Sequence, residues 1–237
     1  MIAHAFIATA HDEWIMRYHL RAYLSFCERA CCVLDRAPNL EPICREFGVE
    51  FVHWNTNYKT QCNFSGWIHD EGLTRQMAWD MAAKHSPDWI ALGDPDETPT
   101  PDVLDFVKEL NPDVDLYLCN WCNLIGSLSR GICGDNRWSW QSSKGNKKGF
   151  IARRRDGIIY RYAPVVQHSR MEPNGIRGRF DDRHVLIDHP ILMHYKLAAW
   201  NRWIDCPQRI NGNQWIEAES MPRMDIPESW HWPDIPQ

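Results

Sequence analysis

Residues 88–97 read Asp88-Trp89-Ile90-Ala91-Leu92-Gly93-Asp94-Pro95-Asp96-Glu97, a short apolar run that ends in three carboxylates within four residues. The apolar part shows no polar alternation, the pattern of a strand buried on both faces of a sheet. Carboxylates packed this closely repel one another in a dry site unless a cation sits among them. The carboxyl end of a buried strand is where open α/β sheets bind ligands. Hard carboxylate oxygens suit Mg²⁺ or Mn²⁺, ions that keep open positions for substrate phosphates. The same residues also suit a solvated acidic turn leading into a helix, because Pro95 and Pro99 are ordinary turn residues.

On either side of this stretch the chain alternates strand and helix patterns. Residues 2–9 and 30–34 are apolar runs, the second ending at Asp35. Between them Asp12 is placed to cap a helix in which Trp14, Tyr18, Ala22 and Phe26 recur every four residues. Residues 38–47 read as a helix stopped by Gly48, and residues 49–54 as a third strand. Leu73, Met77 and Met81 mark a helix running to about His85, directly before the acidic stretch. After it, Thr100-Pro101 is a cap followed by a first-turn proline, opening a helix expected to bury Val103, Val107 and Leu110. Residues 114–121 make a fifth strand. This spacing predicts an α/β domain with a mixed, mostly parallel central sheet flanked by helices. Beyond Gly126 the pattern breaks into short strands, glycine turns and aromatic clusters, and the proline-rich tail with Trp230 and Trp232 is expected to pack as an extended strap. Residues 1–237 are therefore expected to form one domain with an irregular C-terminal half.

Composition excludes several classes. Residues 116–129 carry no charge, but the run is shorter than the ~20 apolar residues a membrane-spanning helix needs. The first ten residues lack a basic leader and run into His11-Asp12-Glu13, so they read as a buried strand rather than an export signal, and a cytoplasmic location is expected. Nine cysteines, an odd number without framework spacing, suit reduced thiols. Cys119-x-x-Cys122, with Cys133 nearby, falls short of the two short-spaced ligand pairs of a structural zinc site.

Residues 73–83 followed by residues 88–97 resemble the GT-A glycosyltransferases, particularly the family-2-like group. In that group a helix with an early arginine, here Arg75, precedes a strand ending in an aspartate-x-aspartate-glutamate turn. The opening Ala8-Thr9-Ala10-His11-Asp12-Glu13, with Trp14, Tyr18 and His19, is similar to the group's first strand and helix. Asp35 matches the position that often holds the nucleotide base or ribose. The resemblance covers roughly residues 1–110 and a weaker piece near residue 194. Gly93 and Pro95 depart from the commonest turn, and Arg36-Ala37-Pro38-Asn39 replaces the usual serine-rich loop.

The resemblance implies a GT-A (nucleotide-diphospho-sugar transferase, Rossmann-like) fold, with residues 1–125 as the nucleotide-sugar-binding half and residues 126–237 as the acceptor-binding half. It implies transfer of a sugar from a nucleotide-sugar donor, a UDP-sugar, with Mn²⁺ or Mg²⁺ held by Asp94, Asp96, Glu97 and His194. Thr9, Glu13, Asp35, Arg75, Asp94 and Lys196 fall to the donor, Lys196 on its diphosphate. Residues 191–193 form a short strand that delivers His194, although His184 and His189 compete for its role and a structural histidine is equally compatible. Inversion of the sugar requires a carboxylate base. Asp135, Glu172, Asp181 and Asp182 are the candidates, with Asp181 and Asp182 preferred because they follow the glycine-arginine segment 175–180; a capping or salt-bridged role fits that pair too.

The net charge of -5 conceals a segment, residues 137–183, that holds 12 Lys or Arg against 4 Asp or Glu. Trp138, Trp140, Phe150 and Tyr160 interleave with Lys144, Lys147, Lys148 and Arg153–155. Cationic groups neutralise phosphates and aromatic faces stack on bases, which points to DNA with hydroxylated bases as the acceptor. Tryptophan-rich clefts also stack on sugar rings, so a carbohydrate acceptor is the alternative, and residues 144–148 also fit a solvated turn. Two further classes stand behind these. A nucleotidyltransferase would show a glycine-rich basic loop after the first strand, and residues 8–13 contain no glycine. A non-catalytic nucleic-acid-binding module would have no use for Asp94, Asp96 and Glu97.

Overall fold

The computed structural model describes residues 1–55, 71–125, 128–134, 147–157, 159–160, 176–177, 183–197 and 221–233. Its first half follows the expected alternation: β1 (Ile2–Thr9), α1 (Glu13–Leu24), β2 (Arg29–Asp35), α2 (Glu41–Glu46), β3 (Glu50–Trp54), α3 (Glu71–Ala83) and β4 (Trp89–Leu92). A short β5 (Glu97–Pro99) and a single turn of helix, α4 (Val103–Phe106), lead to β6 (Leu116–Ile125). The second half adds β7 (Arg130–Ile132), β8 (Lys147–Arg153), the paired fragments β9 (Ile159–Tyr160) and β10 (Ile176–Arg177), then β11 (His184–Leu197) and β12 (Arg223–Asp225).

The main sheet runs β12-β7-β6-β8-β4-β1-β2-β3, with β11 alongside β6 and β5 on β11. β1 is parallel to β2 and β4, β2 is parallel to β3, and β11 is parallel to β6. β8 runs antiparallel between β4 and β6. The result is the mixed, mostly parallel sheet that the sequence predicts, with β8 reversed near its middle and the short β7 and β5 reversed against β6 and β11.

Side-chain alternation explains why both faces are covered. Ala3 and Ala5 of β1 and Cys31 and Val33 of β2 pack under Ala78, Trp79, Met81 and Ala82 of α3. Phe6 and Ala8, with Ala30, Cys32 and Leu34, face Met16 and Leu20 of α1 and Ile43 and Cys44 of α2. Each fully buried Leu, Ile or Phe here contributes about 1.5–3 kcal/mol. Gly48, at φ 65°, ends α2 in the left-handed conformation that glycine adopts without strain.

Several elements differ in detail from the sequence reading. Leu73, expected on the buried stripe of α3, is exposed. The sheet is contacted by Ala78, Trp79 and Ala82 instead, while the first turn of α3 carries Arg75 toward the acidic turn. The helix after Thr100 closes in a 3₁₀ turn (Val107–Glu109), and of its expected apolar residues Val103 is fully buried. The three-residue strand expected before His194 belongs to the 14-residue β11, because pairing along β6 recruits residues 184–187 as well. Asp12 does not cap α1: Thr9 donates to its carboxylate from both N (2.7 Å) and Oγ1 (2.9 Å). Cys119 and Cys122 are buried in two different apolar clusters, as packed thiols rather than a ligand pair. The tail straps across the domain: β12 pairs with β7, and the Trp232 indole N–H donates to Pro99 O at 2.7 Å. Among the described residues no helix is long and apolar enough to cross a membrane.

Candidate functional site

The acidic turn leaves the sheet at the carboxyl end of β4. Glu97 N donates to Asp94 O (2.8 Å) and Asp94 N donates to the Glu97 carboxylate (2.9 Å), which closes residues 94–97 into one rigid loop. Gly93 is required for close approach, since a Cβ there would sit 2.0 Å from the Tyr23 hydroxyl oxygen. That hydroxyl donates to Leu92 O, fastening α1 beneath the turn. His19 Nδ1 lies 3.1 Å from Glu97 O, and its Nε2 is 2.8 Å from Nε2 of His4. Burial pushes the pKa of His4 well down and that of His19 to about 4. Both rings are thus neutral struts under the loop.

Asp94 and Glu97 face cations supplied by the chain itself. The Arg75 guanidinium donates to both Asp94 oxygens, at 2.9 and 3.1 Å. Lys148 Nζ donates to Asp94 at 3.1 Å, to Glu97 Oε1 at 2.5 Å and to Glu97 Oε2. Lys148 reaches this place through strand register. β8 pairs Ile151 with Ala91, and three residues further along, where β8 passes the end of β4, Lys148 comes level with Asp94. Burial alone would raise the Asp94 pKa, but Arg75 and Lys148 outweigh it and hold the carboxyl well below the usual range. For Lys148, burial works against the charge and is overcome by Asp94 and Glu97, so its pKa is raised and the ammonium persists.

Asp96 and His194 form the other side of the loop. β11 pairs His194 with Glu97 on β5 and with Asn123 on β6. Tyr195 N donates to Asp96 O at 2.8 Å, pinning the loop to β11. His194 Nδ1–H donates to Asn123 Oδ1 at 2.7 Å, which turns Nε2 toward Asp96 Oδ2, 3.5 Å away. The imidazole stacks on Trp121, with centroids 4.6 Å apart and planes 7° apart. A lone pair aimed at a carboxylate oxygen is repulsive unless a proton or cation lies between them. A second partner that fixes the ring tautomer is the usual support of a metal-binding histidine. Ligand atoms of Asp96, Glu97 and His194 lie within 4.8 Å of one another, so these side chains fit a divalent ion, with the Glu97 oxygens shared with Lys148.

Other sequence candidates fall around this centre. Thr9 and Asp35 end adjacent strands and are register partners, and Asp35 is also level with Trp54. Asp35 is buried, with Arg36 Nε 3.6 Å away and Arg36 itself at φ 51°. Glu13 is exposed and accepts from Asn39 Nδ2 at 2.8 Å. His189 pairs with Asp102 at 3.1 Å and His184 opens β11, so His194 is the histidine of the three that reaches the turn. Asp135, Glu172, Asp181, Asp182 and the side chain of Lys196 lie outside the described residues.

The basic segment is redistributed. Lys148, read from sequence as part of a surface stripe, is buried in the acidic turn. Arg153 donates to Pro112 O, Arg154 to Pro87 O and Asp156, and Arg155 to the buried carboxylate of Asp115. These three arginines tie loops of the domain together. Sequence reasoning missed Lys148, Asn123 and Trp121 as site residues. For Lys148 a signal existed in the apolar Phe150-Ile151-Ala152 that follows it, which marks a buried strand. Another set of ligand-type side chains, Cys31, Glu50 and His85, lies toward the amino-terminal ends of the strands. There His85 pairs with Glu50 at 2.7 Å, and burial pushes the Cys31 thiol up to about 12, so this group reads as a surface ion pair beside a core thiol.

No protein-family model matches the chain, and no curated protein sequence matches it. Solved structures do. The crystal structure of S. aureus TarS 1-349 is 11% identical with a TM-score of 0.50, over 81% of this chain and 60% of that one. The same TarS fragment in complex with UDP-GlcNAc gives a TM-score of 0.51 at 11% identity, over 81% and 58%. The inositol-1-phosphate CTP transferase from T. maritima, 12% identical over 92% and 94% of the two chains, has a TM-score of 0.40 and carries no weight here. The chain spans about 60% of the TarS fragment it matches. At such identity the likeness speaks to the fold, which is the expected GT-A-like, Rossmann-like α/β arrangement.

Proposed function

We propose that this chain is a metal-dependent glycosyltransferase that moves a sugar from a nucleotide-sugar donor, a UDP-sugar, to an acceptor hydroxyl. The observation that carries the reading is the pairing of Asp96 with Nε2 of His194, 3.5 Å apart, at the carboxyl end of β4. The UDP-GlcNAc bound to TarS, a neighbour in fold, supports the donor class.

Mn²⁺ or Mg²⁺, held by Asp96 and His194 beside Glu97, would act as a Lewis acid on the donor diphosphate. Arg75 and Lys148 keep Asp94 ionised and stationary, so Asp94 can accept a hydrogen bond from the donor. Thr9 and Asp35, at the ends of neighbouring strands, border the place for the nucleoside, with Glu13 at its rim. Lys196, two residues after His194, is assigned to the diphosphate, where a cation steadies the charge of the leaving group. Asp181 and Asp182 are assigned as the base that takes the acceptor proton. Residues 1–125 form the donor half and residues 126–237 the acceptor half.

The acceptor proposed from the basic segment is a hydroxymethylated base in DNA. The burial of Lys148 and the engagement of half-exposed Arg153, Arg154 and Arg155 by groups of the domain itself remove part of the motivation for it, and a carbohydrate is the comparison arm. The test is incubation with a panel of UDP-sugars and Mn²⁺, first without acceptor and then with hydroxymethylated DNA or common glycans, read by mass spectrometry. Slow Mn²⁺-dependent donor hydrolysis is expected, and a mass increment on one acceptor class identifies it. No turnover of any nucleotide sugar contradicts the reading.

A further inference from the structure

Three carboxylates within residues 94–97 demand positive charge, and the chain answers with Lys148 from a strand that enters the sheet in the reverse direction. The side chain of Lys148 is 9% exposed and that of Glu97 is 1% exposed. Its ammonium contacts both oxygens of Glu97 and one of Asp94, and lies over the ring of Trp121, 5.1 Å from the centroid. On the side of the loop toward β11, His194 Nε2 lies 3.5 Å from Asp96 Oδ2. Removing a buried charge from water is costly unless it is paired, so an ammonium fixed this way is not a spectator.

We infer that Lys148 is a positioning residue: it occupies Asp94 and Glu97 as a built-in counter-cation and thereby confines divalent-ion binding to Asp96 and His194. This rests on the reading of the turn as a metal and diphosphate site. Mg²⁺ and Mn²⁺ favour six oxygen-type ligands, and such ions are commonly held by one or two protein groups plus substrate phosphates. A protein contribution cut down to Asp96 and His194 binds the bare ion weakly, and the donor's diphosphate completes the shell. The ion is then captured together with the donor rather than before it. Were Lys148 absent, Glu97 would add ligand oxygens and negative charge while Asp94 stayed held by Arg75, and the turn would become a strong site for the ion alone.

The experiment is calorimetric titration of Mn²⁺ into the protein, with and without UDP, using the wild type, Lys148→Met, Lys148→Arg and the double variant Lys148→Met/Glu97→Gln. Circular dichroism checks folding of each. Wild-type protein is expected to bind Mn²⁺ at least tenfold more tightly with UDP present. Lys148→Met is expected to bind bare Mn²⁺ at least tenfold more tightly than wild type and to lose most of the dependence on UDP. Lys148→Arg restores wild-type behaviour. The double variant removes the buried pair together and keeps the local net charge, so it binds bare Mn²⁺ within about threefold of wild type, a comparison that stands even if Lys148→Met fails to fold. A folded Lys148→Met that binds no more tightly, or a tenfold loss in the double variant, overturns the inference, the latter by identifying Glu97 as a ligand of the ion in the wild type. Absence of Mn²⁺ binding to wild type with UDP present instead defeats the metal-site reading itself.

Discussion

The two faces of the loop formed by residues 94–97 solve the same electrostatic problem in opposite ways. Toward α3 and β8, Asp94 and Glu97 are met by Arg75 and Lys148, cations delivered by a helix and by a reversed strand. Toward β11, Asp96 meets a histidine whose Nδ1–H is engaged by Asn123, so that Nε2 faces the carboxylate. One face is neutralised when the chain folds. The other keeps donor atoms arranged for a cation. The difference separates side chains that build the turn from side chains that use it, although their spacing in the sequence treats all three carboxylates alike.

Breaking the face toward α3 and β8 should cost stability. Lys148→Ala leaves the Glu97 carboxylate buried without its partner and is expected to lower stability by about 3–5 kcal/mol in urea unfolding, with much of the loss recovered when Glu97→Gln is added. Breaking the face toward β11 should cost activity. Asp96→Asn is expected to reduce Mn²⁺-dependent donor hydrolysis by about 100-fold or more, the scale of losing one electrostatic stabiliser, while the melting temperature stays near that of wild type. Equal loss of stability in the two variants would erase the distinction between the faces. Asn123→Ala, which releases the histidine tautomer, should weaken Mn²⁺ binding measured with UDP by about 10–100-fold, as for other groups that support a metal ligand.

The smallest effect concerns pH. Burial would raise the pKa of Asp94, yet Arg75 and Lys148 hold it below its unfolded value of about 3.9. Folding therefore gains from the ionised form above that pH and loses the gain as the pH falls toward the folded value. Asp94→Asn should flatten the decline in stability between about pH 4 and pH 2 seen in denaturant titrations. An unchanged acid limb would place the strong pairing elsewhere.

What could be read from the sequence tracks the range of the interactions involved. β1, β2, β3 and β4 are apolar runs with local punctuation, and their positions follow from residues 1–92 with shifts of a residue or so at their ends. The acidic turn announces itself because three carboxylates share one tight loop. β8 and β11 are different. Each is specified by pairing with β6, which lies about 30–70 residues away in sequence, and a lysine in the run 144–148 looks solvated until that pairing buries it. The arginines at 153–155 misled for the same reason: the carbonyls of Pro87 and Pro112 and the carboxylate of Asp115 that receive them are distant in sequence. Leu73 illustrates the limit of periodicity, since near its start α3 exposes this apolar residue while Arg75, two residues on, reaches Asp94.

The most direct test of the face toward β11 is the anomalous signal of manganese in crystals grown with Mn²⁺ and UDP. Expected is a single strong peak bridging Asp96, His194 and the diphosphate, with Lys148 still seated between Asp94 and Glu97. A map with no peak at that corner, or with the ion displacing Lys148 to sit on Asp94 and Glu97, would contradict the division of labour between the two faces.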